Sequence, residues 1–203
     1  MPDSSKTEVY KMKLRAFLIA GVALASVSEA QDALQPYKGF EAREITSLSE
    51  QDIAALLAGS GWGLALPAEL NGFPGPLHVL ELADELGLSK DQEQSISKIF
   101  EEMRKDAIAK GVSFIEAERT LDEGFKSPNL DAIQLKKLIE NSEAARADLR
   151  FVHLSRHLMT LDVLSSDQID NYAVLRGYAS DPCSNVPDGH DATMWKRHNG
   201  CGD

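Results

Sequence analysis

The sequence predicts an all-α protein, and three observations carry that expectation. Two serine capping boxes, Ser89-Lys90-Asp91-Gln92 and Ser165-Ser166-Asp167-Gln168, each mark a helix start. In such a box the serine hydroxyl accepts from the backbone N–H three residues on, and the glutamine reaches back to the serine N–H. Between the boxes, apolar residues recur with the 3.6-residue period of a helix face, and no run alternates with the period of a strand.

Each segment can be read in turn. Residues 12 to 30, MKLRAFLIAGVALASVSEA, have a basic start (Lys13, Arg15), an apolar run from Ala16 to Val27, and small residues at Ser28 and Ala30. That is the form of a secretory signal with an A-x-A-like cleavage site. The run is too short to cross a bilayer core, which needs about 20 residues. Residues 1–30 are therefore read as an upstream extension and signal peptide, initiated at Met12, with an uncleaved anchor as the alternative. Residues 31–76 are read as irregular, with one short helix from Ser49 to Leu57. The cluster Gly59-Ser60-Gly61-Trp62-Gly63 lacks the preceding strand and the lysine of a phosphate loop, so it is read as a loop crossing the end of a bundle.

From the first box, Ile96, Ile99, Phe100, Met103 and Ala107 follow helical spacing up to Gly111, a glycine of the kind that ends helices. A second helix is expected from Val112 to Phe125, with Phe114, Leu121 and Phe125 facing inward. Ser127-Pro128-Asn129 breaks it, and Asn129 is an apt N-cap for the next helix. That helix is expected from about Leu130 to Leu161, with Leu135, Leu138, Ile139, Ala145, Leu149 and Val152 along one side. Leu164 and Ile169 bracket Ser165 as a hydrophobic staple, opening a short helix that stops at Gly177. Residues 179–203 form a polar tail that carries both cysteines.

Removing residues 1–30 leaves 17 basic against 29 acidic residues, a net charge of −12. A chain this acidic is a poor partner for nucleic acid or anionic membranes, and suits cations or basic partners. There is no nucleophile motif, no H-E-x-x-H and no nucleotide loop beside a strand, so the sequence points away from an enzyme.

The residues with most chemistry are His153 and His157, four apart in the long helix. On a wheel centred on Leu149, they fall near about 40° and about 80°, at the edge of the apolar face. Met159 falls near about 280°, away from them. Histidines at i and i+4 stand one above the other and can share a metal ion. Two ligands do not close a tetrahedral site, so a third is needed, and His78 is the remaining histidine of the helical part. The alternative is a pair of core-edge histidines hydrogen-bonded to carboxylates such as Glu116 or Glu118.

The two boxes, extended by one residue to Leu88-Ser89-Lys90-Asp91-Gln92 and Leu164-Ser165-Ser166-Asp167-Gln168, resemble the LTxxQ repeats of the periplasmic CpxP/Spy family, which includes metal-resistance sensors of the CnrX and ZraP kind. The resemblance spans about residues 77–178, with serine in both copies where threonine is commoner. It implies a hooked, cradle-like helical hairpin of about four to five helices that usually dimerises through its long helices. It implies one of two roles: a metal-responsive sensor or regulator of a heavy-metal or envelope stress response, or an ATP-independent chaperone of unfolding clients. The sensor's partner would be a membrane-bound sensor or an anti-sigma factor. In the CnrX-like sensors a histidine precedes the first repeat and an H-x-x-x-M pair precedes the second. His78 resembles the first, offset by about one residue; His153 matches the pair's histidine, and His157 stands where that motif has methionine. The sensors' glutamate has no clear counterpart, Glu101 and Glu102 being the nearest substitutes. These departures leave the metal open among Zn, Cu, Ni and Co.

In the tail, Cys183 and Cys201 in an exported protein suit a disulfide, closing a loop of 17 intervening residues. A second candidate metal site competes with it: His190, Met194, His198 and a reduced Cys201 are spaced 4, 4 and 3, one soft stripe if the segment is helical.

Overall fold

The computed structural model describes residues 35–184, 186–198 and 201. The segment read as a signal peptide lies outside the described residues. The chain divides into two compact units at Arg43/Glu44. In the first, a single 3-10 turn (Phe40–Ala42) carries the Arg43 guanidinium 3.6 Å above the Phe40 ring.

The second unit is all-α. Among the described residues it holds seven α-helices and no strand: α1 (Glu50–Leu57), α2 (Leu66–Glu69), α3 (Pro76–Glu81), α4 (Lys90–Lys126), α5 (Ala132–Leu161), α6 (Ser166–Leu175) and α7 (Ala192–His198). No helix among them is long and apolar enough to cross a membrane. Helices α4 and α5, of 37 and 30 residues, form an antiparallel hairpin. At 1.5 Å per residue α4 alone is roughly 55 Å long.

Four helices open on capping boxes, because in each a short polar side chain meets an acceptor three residues on. The pairs are Ser49 with Asp52, Ser89 with Gln92, Asp131 with Gln134, and Ser165 with Gln168. The two serine–glutamine boxes meet at the base of the hairpin. Gln92 Nε2 donates to Gln168 Oε1 at 2.8 Å and to the Val163 carbonyl at 2.9 Å. Gln168 Nε2 answers by donating to Gln92 Oε1 at 3.2 Å and to the Leu86 carbonyl at 3.3 Å. Beneath this exchange Val79, Leu86, Ile96, Ile99, Leu164 and Tyr172 form one buried cluster. A second, larger cluster lies further along the hairpin, where Met103, Ala107, Phe114 and Ile115 of α4 meet Leu149 and Val152 of α5. Ile45, Leu48, Leu56 and Leu64 of the preceding segment close over them.

The structure departs from the sequence expectation in four places. Helix α4 runs unbroken through Gly111, so no helix ends there and none starts at Val112. The reason is tertiary: a Cβ at Gly111 would stand 2.6 Å from the carbonyl oxygen of Leu56. Glycine admits the C-terminal end of α1 against α4, and the helix bears its propensity cost of about 1 kcal/mol. Phe125 faces outward, 66 % exposed, because the hairpin tip has no third layer to cover it. The N-cap of α5 is Asp131 rather than Asn129, since its carboxylate reaches the Gln134 N–H at 2.8 Å. Finally, residues 31–76 contain α2 and the start of α3 besides the expected helix, each opened by a proline in its first turn.

Candidate functional site

Helix α5 presents His153 and His157 from the same face, as their spacing requires, and both are buried, 2 % and 5 % exposed. They line a half-open cavity of about 280 Å³ between the 59–63 loop, α2, the start of α3, and the hairpin. Trp62, Leu66, Phe100 and Met103 supply its apolar walls, and Glu69, His78, Arg176 and Tyr178 its polar edge. The three histidines singled out in the sequence therefore line one cavity.

The roof is built by local backbone chemistry. Rather than crossing the bundle end, the 59–63 loop lies along α4: a Cβ on Gly59 would stand 2.9 Å from the Arg104 carbonyl oxygen. Trp62 holds a positive φ of 46°, a conformation uncommon for a bulky side chain. Two contacts hold it there: its Nε1–H donates to Asp52 at 2.9 Å, and its ring packs 5.6 Å from that of Phe114.

Below the roof, His157 Nδ1 lies 2.7 Å from the Phe73 carbonyl oxygen. The nitrogen must donate there, so in the neutral imidazole the lone pair is on Nε2. His153 differs: its Nε2 is buried and has no hydrogen-bond partner. Burial, and secondarily the nearby His157, push the His153 pKa below its ordinary value of 6.5. Its neutral form is favoured for the same reason that any buried charge is penalised. The partners are thus not Glu116 or Glu118, as the carboxylate alternative expected. Glu118 lies further toward the hairpin tip, accepting from the hydroxyls of Ser47 and Ser142.

One carboxylate does face the cavity. Glu69, mostly buried, accepts from the Tyr172 hydroxyl and, at 3.4 Å, from that of Tyr178. Arg176 Nε is 3.5 Å from the same oxygen, and His157 Nδ1 is 3.7 Å from the other. Burial, then the bond to Glu69, raises the Tyr172 hydroxyl well above the ordinary tyrosine range, so it remains a donor. Glu69 and Arg176 compensate each other, which a buried carboxylate requires.

His78 lines the cavity from α3, but its Nδ1 is paired with Glu81 at 2.8 Å and its side chain is partly exposed. Glu101 and Glu102 are exposed and do not line the cavity. Among the described residues, no three His, Cys, Asp or Glu side chains stand close enough to hold a metal ion together. In the tail, Cys183 and Cys201 form a disulfide, consistent with an oxidising compartment. That corrects the reduced-Cys201 stripe, since the sulfur is bonded to its partner. Helix α7 starts at Ala192, so His190 precedes it, its ring set edge-on 5.0 Å from Trp195. Met194 and His198 are exposed.

The sequence reading missed Glu69, Met103, Tyr172, Arg176 and Tyr178 as site residues. Met103 was visible only as one member of an apolar helix stripe, and the others carry no local pattern. Comparison with protein-family models, with curated proteins and with solved structures finds no match to this chain.

Proposed function

We propose that this chain is a non-catalytic periplasmic sensor or regulator of the LTxxQ kind, responding to a transition metal held by His153 and His157. One observation carries the reading: a histidine with a buried, unpartnered imidazole nitrogen lines a cavity beside a second imidazole whose Nδ1–H is bonded to a backbone carbonyl. An orphaned buried nitrogen costs about 1–3 kcal/mol, and a bound ion would offset that cost. A backbone carbonyl behind the other ring is how ligating histidines are oriented. The residues thus fit a metal, which would act as a Lewis acid joining the two imidazoles. The reciprocal meeting of the two serine–glutamine boxes supports the LTxxQ kinship.

The chain's own residues supply the response. His157 is tied through the Phe73 carbonyl to the segment between α2 and α3 and lines the cavity, so occupancy and the position of that segment share one side chain. A ligand that binds one position of the segment better shifts the population toward it. A membrane-bound sensor or an anti-sigma partner would read that shift. Purified protein should carry bound metal by elemental analysis and lose it in His153→Ala. Wild-type occupancy in that variant would overturn the reading.

A second reading has its own observation. Val112, Phe125, Ile133, Ile139, Phe151 and Leu158 expose apolar side chains along the hairpin. That suits an ATP-independent chaperone for unfolded clients, or a homodimer face. Suppression of client aggregation that survives chelation would favour the chaperone. Its absence at every ratio would remove that reading.

A further inference from the structure

The donors on the cavity wall can be sorted by what already occupies them. Glu69 gives Oε1 to Tyr172, Tyr178 and Arg176, and its Oε2 lies 3.7 Å from His157 Nδ1. His78 Nδ1 is paired with Glu81, and among the described residues no three His, Cys, Asp or Glu side chains stand close enough to hold one ion, so neither His78 nor Glu69 joins the two histidines. The described cysteines are both in the disulfide, and neither lines the cavity. What remains is Nε2 of His153, Nε2 of His157, and the thioether of Met103, which is 8 % exposed on α4 and lines the same cavity. Met103 and Val152 belong to one buried cluster, so Met103 packs where α4 faces the histidine-bearing stretch of α5.

That donor set is chemically selective. Two neutral imidazoles and a thioether bring no negative charge, the Glu69 carboxylate at the polar edge is already balanced by Arg176, and the nearby walls are Trp62, Phe100 and Leu66. Zn²⁺, Ni²⁺ and Co²⁺ take imidazole, but they seek four or more ligands and favour a carboxylate, thiolate or water beside it. A doubly charged ion with neutral donors would also leave its charge uncompensated in an apolar cavity, which is costly. Soft thioether ligands select Cu(I) instead.

We propose that the cavity binds one monovalent soft ion, Cu(I) or its redox-inert analogue Ag(I), through His153, His157 and Met103. The inference rests on the histidine reading above and deepens it by naming the third donor and, with it, the class of metal. His78 is then part of the cavity rim and not a ligand.

The test is an anaerobic competition titration of the full chain against a chromophoric Cu(I) chelator, with ascorbate as reductant so that the disulfide is spared. Zn²⁺ binding is measured in parallel. Wild type should take one Cu(I) and prefer it to Zn²⁺. Met103→Leu, which conserves volume in a packed site, should weaken Cu(I) by about tenfold or more, the order that loss even of a ligand-orienting group costs. Its Zn²⁺ binding should be unchanged, and its circular dichroism should match wild type. With Ag(I), the Met103 methyl resonance should shift on binding, a readout independent of affinity. Unchanged Cu(I) affinity in Met103→Leu, or an unshifted methyl, overturns the thioether assignment while His153→Ala still reports on the histidines. If His153→Ala also keeps wild-type affinity, the histidine reading falls with it.

Discussion

At the base of the hairpin and in the cavity further along the same two helices, polar side chains from distant parts of the chain meet, half-buried at the base and buried in the cavity. At the base, Gln92 and Gln168 use both amide hydrogens and the carbonyl oxygen: each caps its own helix, bonds the other glutamine, and takes one loop carbonyl. In the cavity the accounts do not close, because His153 keeps a buried nitrogen without a partner. A fully satisfied network specifies one packing and rigidifies it, whereas an open one is held at a cost. The two places differ in what is left over within one fold: the base closes its polar groups on one another, and the cavity retains an unpartnered nitrogen.

Substitution at the base should have the largest effect. Gln92→Ala leaves the Val163 carbonyl, the Ser89 N–H and half of the Gln168 amide without partners. Stability should fall by about 1–3 kcal/mol, since two of these groups are half-buried and the Ser89 N–H is exposed to water. Urea denaturation measures it. Because the amides bond each other, the Gln92→Ala/Gln168→Ala pair should cost less than the two single changes added together. Strict additivity would mean that the two boxes act as independent caps and that the contrast with the cavity is only local.

The cavity should behave in the opposite sense. His153→Leu replaces an unpartnered buried imidazole with an apolar side chain of similar bulk. Metal-free protein should be stabilised by about 1 kcal/mol, because the desolvation cost of the orphan nitrogen is relieved. The same variant should lose metal binding, an exchange of stability against function expected at a ligand site. Thermal melting with and without added metal reads both effects. A clear loss of stability in metal-free protein would show that His153 has a structural partner, and would make the cavity resemble the base.

How much of this was legible in the sequence depends on the range of the interactions. The capping boxes at Ser89 and Ser165 are local chemistry within four residues, and they were readable with the helices they open. The shared face of His153 and His157 is equally local, since helical geometry alone sets it. Gly111 was misread because a glycine in a helical run signals an end, unless another element needs the space, here the carbonyl of Leu56. Phe125 was misread because helical period gives a face but not what covers it. Glu69 and Arg176 are separated by most of the hairpin in sequence, and nothing in either neighbourhood announces the pair. Met103 has the spacing of a core residue and is one; only the cavity it shares with His153 and His157 brings its thioether to the candidate site.

The smallest expected effect is on pH dependence, and its sign follows from His153. Burial first, and the charge of His157 second, hold its folded pKa below 6.5, the value expected when unfolded. As pH falls through about 6.5 the unfolded chain takes up a proton that the folded chain refuses, so unfolding gains and stability declines. The decline continues until the folded pKa is reached, and it is absent above about 6.5, where both states are neutral. One proton sets its limit at about 1.4 kcal/mol per pH unit. In His153→Leu this contribution vanishes, while the other ionisable groups facing the cavity, His157, His78, Glu69 and Arg176, are left in place. The difference between the two stability curves therefore isolates one imidazole. It should be flat above pH 6.5 and should grow in the variant's favour below it. A constant difference across that range would mean that His153 titrates alike in both states, with its nitrogen partnered by solvent, and the comparison with the glutamine base would lose its physical ground.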